Sequence, residues 1–138
     1  MNYITDINLL SVLVAGVAAM AIGFLWYGPF FGKVWMRESY WTENELAEAK
    51  KRMGANYFMS FITALVMAIV LEVLINGIGI NSVTGGLKLT FIVWLGLLAT
   101  VKFNDKLFSK NKSITLFWID SGHYLAVMLA MGAILTFL

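Results

Sequence analysis

The chain alternates between four long apolar stretches and short charged segments. The apolar stretches run over residues 9–27, 57–75, 83–101 and 114–138. At a rise of about 1.5 Å per residue, each is long enough as a helix to cross the ~30 Å hydrocarbon core of a bilayer. The pattern therefore predicts an all-α fold, in which four transmembrane helices form one bundle and residues 1–138 form a single membrane domain.

The connection between spans one and two carries its own structural signals. Pro29 cannot donate a backbone hydrogen bond, and it disfavours a helical Gly28, so span one is expected to stop or bend there. Thr42 and Glu45 have the spacing of a capping box. This spacing predicts an interfacial helix near residues 43–53, which either continues into span two or kinks at Gly54.

The charges are few, and their placement predicts the sidedness of the chain. Charged residues make up 13% of the sequence, against about 25% in a typical soluble domain. Nine of the ten basic residues lie in the first and third connections: Lys33, Arg37, Lys50, Lys51, Arg52, Lys102, Lys106, Lys110 and Lys112. Because Lys and Arg in short loops stay on the cytoplasmic side, both connections and the interfacial helix are expected inside, with both termini outside.

The composition also argues against several classes of function. With no cysteine and one histidine, the chain cannot form a thiolate site or a multi-histidine metal site within one protomer. There is no phosphate-binding loop and no paired carboxylates. Asp120, Ser121 and His123 cannot converge, because neighbouring helix positions point about 100° apart. We therefore expect no enzyme, cofactor or bound metal, and membrane lipids rather than nucleic acid as partners of the basic connections.

Ionisable side chains within the apolar stretches are the functional candidates, because they cost several kcal/mol in lipid. Glu72 and Lys88 are expected at similar depth near the outer ends of spans two and three. They can form an outer ion pair, for which a structural salt bridge or a snorkelled lysine is a more common role than a gate or an ion site.

A second group is predicted in the inner third of the membrane. Asp120 and His123 lie one turn apart on span four and Tyr124 follows, while Tyr27 and Lys102 lie at comparable depth on spans one and three. One interpretation is a proton or cation site in which His123 titrates. The other is a structural Asp–His or Asp–Lys contact that holds the bundle together.

Small residues recur every four positions in three of the spans. They are Ala15, Ala19 and Gly23 in span one, Ser60, Ala64 and Ala68 in span two, and Gly122, Ala126 and Ala130 in span four. Such seams let helix backbones approach closely in lipid. Because four helices offer limited interior surface, we expect a homo-oligomer.

Two stretches carry a resemblance to a known family. They are Trp26-Tyr27-Gly28-Pro29-Phe30-Phe31-Gly32-Lys33-Val34-Trp35 and Asp120-Ser121-Gly122-His123-Tyr124, with Met131-Gly132-Ala133-Ile134 following in the last span. The chain resembles the small bacterial and archaeal membrane proteins catalogued as domain of unknown function 1761. The resemblance implies four spans and draws attention to Trp26, Tyr27, Gly28, Pro29, Gly32 and Trp35, but it implies no substrate, cofactor or mechanism.

These observations leave two hypotheses for a protein of the prokaryotic inner (plasma) membrane. The first is a small transporter or channel-like subunit that uses the inner polar cluster for a small molecule or ion. The second is a structural or regulatory protein that binds lipid or a membrane partner through its aromatic loop.

Overall fold

The computed structural model describes residues 4–111 and 113–138, and the regular structure in these two ranges is entirely helical. Four helical spans are long and apolar enough to cross a membrane: Leu9–Phe30, Met53–Ile78, Val83–Phe108 and Ile114–Phe137. The predicted all-α, multi-pass architecture is therefore confirmed. The third span is longer than predicted, because the helix continues to Phe108 through a segment that contains Lys102 and Lys106. Lys112 of the same connection lies outside the described residues.

The four spans and the connections divide into seven α-helices and two π-helical turns in the described part of the chain. In chain order they are α1 (Leu9–Leu25), the first π-helical turn (Trp26–Phe30), α2 (Gly32–Ser39), α3 (Glu43–Lys51), α4 (Met53–Ile78), α5 (Val83–Val93), the second π-helical turn (Trp94–Ala99), α6 (Thr100–Phe108) and α7 (Ile114–Phe137).

Helix α7 is the centre of the bundle. It packs against α1 along one side and against α5 along another, while α4 packs mainly against α1 and touches α7 less. Helices α4 and α5 follow each other in the chain but make little contact. The core between the helices includes Ala15, Ala68, Leu71, Met128 and Met131, all of them buried.

Two of the three predicted small-residue seams are buried in part, because Gly23 is half-buried and Ser60 is exposed. Ala15 and Ala19 of α1 are buried, as are Ala64 and Ala68 of α4. On α7 the closest approach falls elsewhere than predicted. A β-carbon at Gly132 would lie 2.6 Å from the carbonyl oxygen of Gly86, so α5 and α7 cross backbone against backbone at these two glycines.

The connection after the first span is more helical than its sequence suggested. Helix α2 was not predicted. The helix predicted near residues 43–53 is confirmed as α3, where the Thr42 hydroxyl accepts from the Glu45 backbone N–H at 3.1 Å. It ends at Arg52, whose φ of −104° and ψ of 4° break the helix before α4 begins. The break thus lies two residues before Gly54, where the kink was expected.

Candidate functional site

The structure brings the five residues of the predicted inner cluster together. The Tyr27 hydroxyl donates to Asp120 Oδ1 at 2.6 Å. The His123 ring lies between two tyrosines, with ring centroids 5.1 Å from Tyr27 and 4.9 Å from Tyr124. Lys102 Nζ lies 5.2 Å from the centroid of the Tyr124 ring, within the range of a cation–π contact. The residues come from the first, third and fourth spans.

The first π-helical turn positions Tyr27. Pro29 lacks an N–H, and in an α-helix its ring would clash with the carbonyl four residues earlier. A wider turn relieves that clash, and the Phe31 N–H then donates to the Trp26 carbonyl, five residues back, at 2.8 Å. The chain then passes close to the Tyr27 carbonyl oxygen at Gly32. Only glycine fits there, because a β-carbon would lie 2.6 Å from that oxygen.

Two indole groups fix the backbone of α7 on either side of Asp120. Trp26 Nε1–H donates to the Ile119 carbonyl at 2.9 Å, and Trp94 Nε1–H donates to the Ser121 carbonyl at 2.8 Å. Each tryptophan is the first residue of a π-helical turn. We call Trp26, Tyr27 and Trp94 the α7 clamp. It holds the segment with Asp120 from two sides of the helix.

Gly122 makes room for part of this clamp. A β-carbon at Gly122 would lie 3.2 Å from Trp26 Cζ2, closer than most side-chain contacts. The small-residue position on α7 therefore accommodates an indole ring rather than a neighbouring helix.

His123 is half-buried, and both of its ring nitrogens are buried. Neither Nδ1 nor Nε2 finds a donor or acceptor among the described residues. The predicted structural contacts are also absent there: the salt bridges are Arg37–Glu38 and Lys51–Glu48, and neither involves Asp120. Asp120 instead accepts a hydrogen bond from the Tyr27 hydroxyl.

The imidazole faces a cavity of about 410 Å³ between α1, α4 and α7. The cavity reaches from the middle of the bundle towards the end that carries the basic connections. It is partly open, and two of its lining residues, Phe24 and Tyr57, are each about half exposed. Its lining residues are Ala19, Met20, Gly23, Phe24, Tyr27, Gly28, Tyr57, Ser60, Thr63, Ala64, Met67, His123, Tyr124 and Val127. Apart from His123, none of them has an ionisable group that is charged near neutral pH.

The predicted outer ion pair is wrong. Glu72 is buried, with 5% of its surface exposed, whereas Lys88 is exposed, and no salt bridge joins them in the described structure. The reason is the packing order: α5 lies against α7 rather than against α4, so the two side chains do not share an interface. The Glu72 carboxyl instead accepts from the backbone N–H of Asn8.

The motif residues divide between the interior and the surface. Trp26 and Tyr27 point towards α7, whereas Gly28 and Pro29 are exposed. Trp35 lies between Tyr27 and Trp41, with ring centroids 5.9 Å and 5.8 Å away. The aromatic loop therefore has one part committed to the bundle and one part, around Trp41, available at the surface.

Sequence reasoning missed Trp94 and did not place Ser60 and Thr63 of α4 beside the cluster. A tryptophan in the middle of an apolar stretch was the available signal, because membrane tryptophans favour the interfaces and a buried indole N–H needs an acceptor. Ser60 and Thr63 gave no comparable signal. In the described residues, no group of three or more His, Cys, Asp or Glu side chains could hold a metal ion.

Comparison with known proteins gives one match. The family model described as "Protein of unknown function (DUF1761)" matches residues 10–136. No curated protein and no solved structure matches the chain.

Proposed function

We propose that this chain, which belongs to the DUF1761 family, is a small transporter or channel-like subunit of a prokaryotic inner membrane. The cavity at His123 binds the species that crosses. The observation that carries the proposal is the His123 imidazole, which lines the cavity and whose two buried nitrogens have no hydrogen-bond partner in the described part of the chain. A buried polar group without a partner costs about 1–3 kcal/mol, which favours a bound molecule or water that pairs with it.

The lining of the cavity narrows the class of species. Its volume of about 410 Å³ lies within the ~300–1,000 Å³ typical of small-molecule sites. A strongly charged ion would find no compensating charge on the lining, because Asp120 is engaged by Tyr27 and Lys102 lies against Tyr124. The cavity therefore suits a small neutral molecule that forms hydrogen bonds, or a proton relayed through His123.

Flux through reconstituted protein tests this proposal. Proteoliposomes that contain the pH indicator pyranine report proton movement under an imposed pH gradient, and stopped-flow light scattering reports entry of the neutral probes glycerol and urea. We expect flux of at least one probe above that of protein-free liposomes. His123→Ala should lower it at least tenfold, because the cavity then lacks its hydrogen-bonding group.

Two further variants make the flux result specific. Asp120→Asn keeps an acceptor for Tyr27 but removes the charge behind His123, so we expect a smaller decrease. Trp118→Ala is the control, because Trp118 is 62% exposed on the same helix and should leave flux unchanged. Equal flux in native protein, Asp120→Asn and His123→Ala would contradict a role for Asp120 and His123 in transport. Flux equal to that of empty liposomes for protons, glycerol and urea alike would contradict the transport proposal itself.

A specific observation supports a second candidate function. Tyr40 and Trp41 are exposed beside Trp35, next to the basic residues Lys33 and Arg37 of α2. Aromatic and basic side chains together suit the lipid headgroup region. A structural or regulatory protein would use this surface, and Trp35→Ala or Lys51→Ala would then reduce the lipids or partner retained in native mass spectrometry. Unchanged retention in both variants would leave this candidate without support.

The homo-oligomer expected from the sequence is also a proposal. Phe58 and Met59, near the start of α4, are exposed and do not line the cavity, so a second copy can pack against them. The same native mass spectra give the number of chains in each complex, and a monomer at all detergent concentrations would contradict the proposal.

A further inference from the structure

Glu72 forms a second polar site, separate from the cavity. It lies on α4 six residues before the end of the helix at Ile78, or about 9 Å along the helix axis. Its side chain is 5% exposed, and Oε2 has no hydrogen-bond partner among the described residues. A carboxyl group is thus enclosed in the outer half of the bundle.

Among the described residues, no salt bridge joins a positively charged side chain to Glu72. The Asn8 backbone N–H donates to the carboxyl. The Asn8 side chain is used elsewhere, because Oδ1 accepts from the Ser11 N–H at 3.2 Å and Nδ2 donates to the Leu138 main-chain oxygen at 3.4 Å. The Ser11 residue is fully buried, and its hydroxyl has no hydrogen-bond partner within residues 4–111 and 113–138.

Of the helices packed against α4, α1, α5 and α7 carry few charged side chains, whereas the five charged residues of α3 lie beyond the other end of α4, which begins at Met53. Helix α1 has none, and α5 has only Lys88, which is exposed and forms no salt bridge with Glu72. Helix α7 has only Asp120 and His123, in the opposite half of the bundle. Asp6, before α1, is an acid and offers no positive charge, and its main-chain carbonyl oxygen accepts from the Asn76 side-chain amide at 3.0 Å.

An ionised carboxylate is unfavourable in such a place. Removing a charge from water without a partner costs far more than burying a neutral polar group, and buried acids generally bind a proton instead. Protonation removes the charge and converts the unpartnered oxygen into a donor. We propose that Glu72 is a proton-binding site, in which the side chain is held as the uncharged carboxylic acid in the outer half of the bundle.

This proposal does not depend on the function of the cavity. A proton site on the outer half and an imidazole on the inner half would allow proton movement to be coupled to a substrate, but the protonation of Glu72 can be tested without any transport assay. Failure of the flux experiment and failure of this one are therefore distinguishable.

Infrared spectroscopy of the whole protein in lipid at neutral pH provides the test. We expect the carbonyl stretch of a protonated carboxylic acid, with a shift in D₂O that shows an exchangeable proton. The band should be lost in Glu72→Gln and retained in Glu48→Gln, an exposed control, and in Asp120→Asn. A native spectrum without the band, a band that survives in Glu72→Gln, or a band without a D₂O shift would overturn the proposal.

Stability and chemical labelling guard against a misfolded variant. Glutamine resembles the protonated acid in shape and charge, so Glu72→Gln should keep the native thermal midpoint. A lower midpoint would indicate that the fold requires an ionised carboxylate at this position and would contradict the proposal.

Dicyclohexylcarbodiimide is apolar and reacts with protonated carboxyl groups. Mass spectrometry should therefore find its adduct on Glu72 at least tenfold above that on exposed Glu43, and equal labelling would count against a protonated Glu72.

Discussion

At the scale of single residues, the structure shows how a carboxylate is accommodated within a membrane span. Asp120 is half-buried and lies on a helix whose backbone amides are already used in the helix itself. Its partner is the Tyr27 hydroxyl, at the short distance of 2.6 Å, which is typical of a hydrogen bond to an ionised acceptor. Tyr27 therefore has a role in stability as well as in lining the cavity.

Replacing Tyr27 by phenylalanine should destabilise the protein. The change removes the hydroxyl that pairs with Asp120 while it keeps the ring that contacts His123, and a lost hydrogen bond to a charged group costs about 1.5–3 kcal/mol. Reversible unfolding in mixed detergent micelles, followed by circular dichroism, measures the free energy of unfolding. Tyr40→Phe is the control, because Tyr40 is 76% exposed. Equal stability of the two variants would contradict a structural role for the Tyr27 hydroxyl.

The indole of Trp94 is expected to contribute to stability in the same way. Trp94→Phe removes the N–H that donates to the Ser121 carbonyl and leaves part of the buried ring volume empty. The hydrogen bond alone contributes about 0.5–1.5 kcal/mol, and the lost volume adds to that cost. The same unfolding assay compares it with Trp118→Phe, on the lipid-facing side of α7. If both substitutions cost the same, the indole bond to α7 adds nothing to stability.

At the scale of the elements, the crossing of α5 and α7 depends on two glycines without side chains. A β-carbon at Gly132 would lie 2.6 Å from the Gly86 oxygen and 2.7 Å from Thr90 Oγ1. Gly132→Ala must therefore push the helices apart, at a cost of about 1–3 kcal/mol. Gly54→Ala is the matched control, because a β-carbon at Gly54 meets nothing within 4 Å and alanine favours a helix. A Gly132→Ala protein as stable as Gly54→Ala would show that the crossing tolerates a side chain.

The helices that span the membrane were predictable, because the length of each apolar stretch and the position of the charges determine where a span begins and ends. The four spans followed from their apolar lengths, and the inner cluster followed from helix spacing and depth, so Tyr27, Asp120 and His123 could be grouped without coordinates. The pairing of Glu72 with Lys88 failed, because a short loop predicts neighbouring spans, while the Gly86–Gly132 contact places α5 on α7 instead.

The π-helical turns could not be predicted from the hydrophobic pattern, for a different reason. A π-helical turn and an α-helix of the same composition are equally apolar, and only the local strain around Pro29 gave a hint of a bend. The second turn, at Trp94–Ala99, contains no proline. Its consequence is the direction of the Trp94 indole, which depends on packing against α7 and so cannot be read from periodicity. Packing also explains why His123 has no hydrogen-bond partner among the described residues, because it brings the Tyr27 hydroxyl, and not the imidazole, to the Asp120 carboxyl.

At the scale of the whole molecule, the two ends of the bundle differ in their basic residues. The described basic residues of the first and third connections lie at one end of the bundle, and the turn around Asn81 between α4 and α5 lies at the other. Asp120, His123 and the cavity are nearer the basic end. The predicted sidedness therefore places the cavity towards the cytoplasm and Glu72 towards the outside.

Cysteine labelling can test this sidedness directly, because the chain has no native cysteine. Lys110 and Asn81 are both exposed and belong to opposite ends of the bundle. With the basic end inside, a membrane-impermeant maleimide should label Asn81→Cys in intact cells and Lys110→Cys only after the membrane is permeabilised. Labelling of Lys110→Cys alone in intact cells would reverse the orientation, and would place the cavity at His123 on the outer side and the proton site at Glu72 on the inner side. Labelling of both would mean that the chain inserts in two orientations, so that each site faces both compartments.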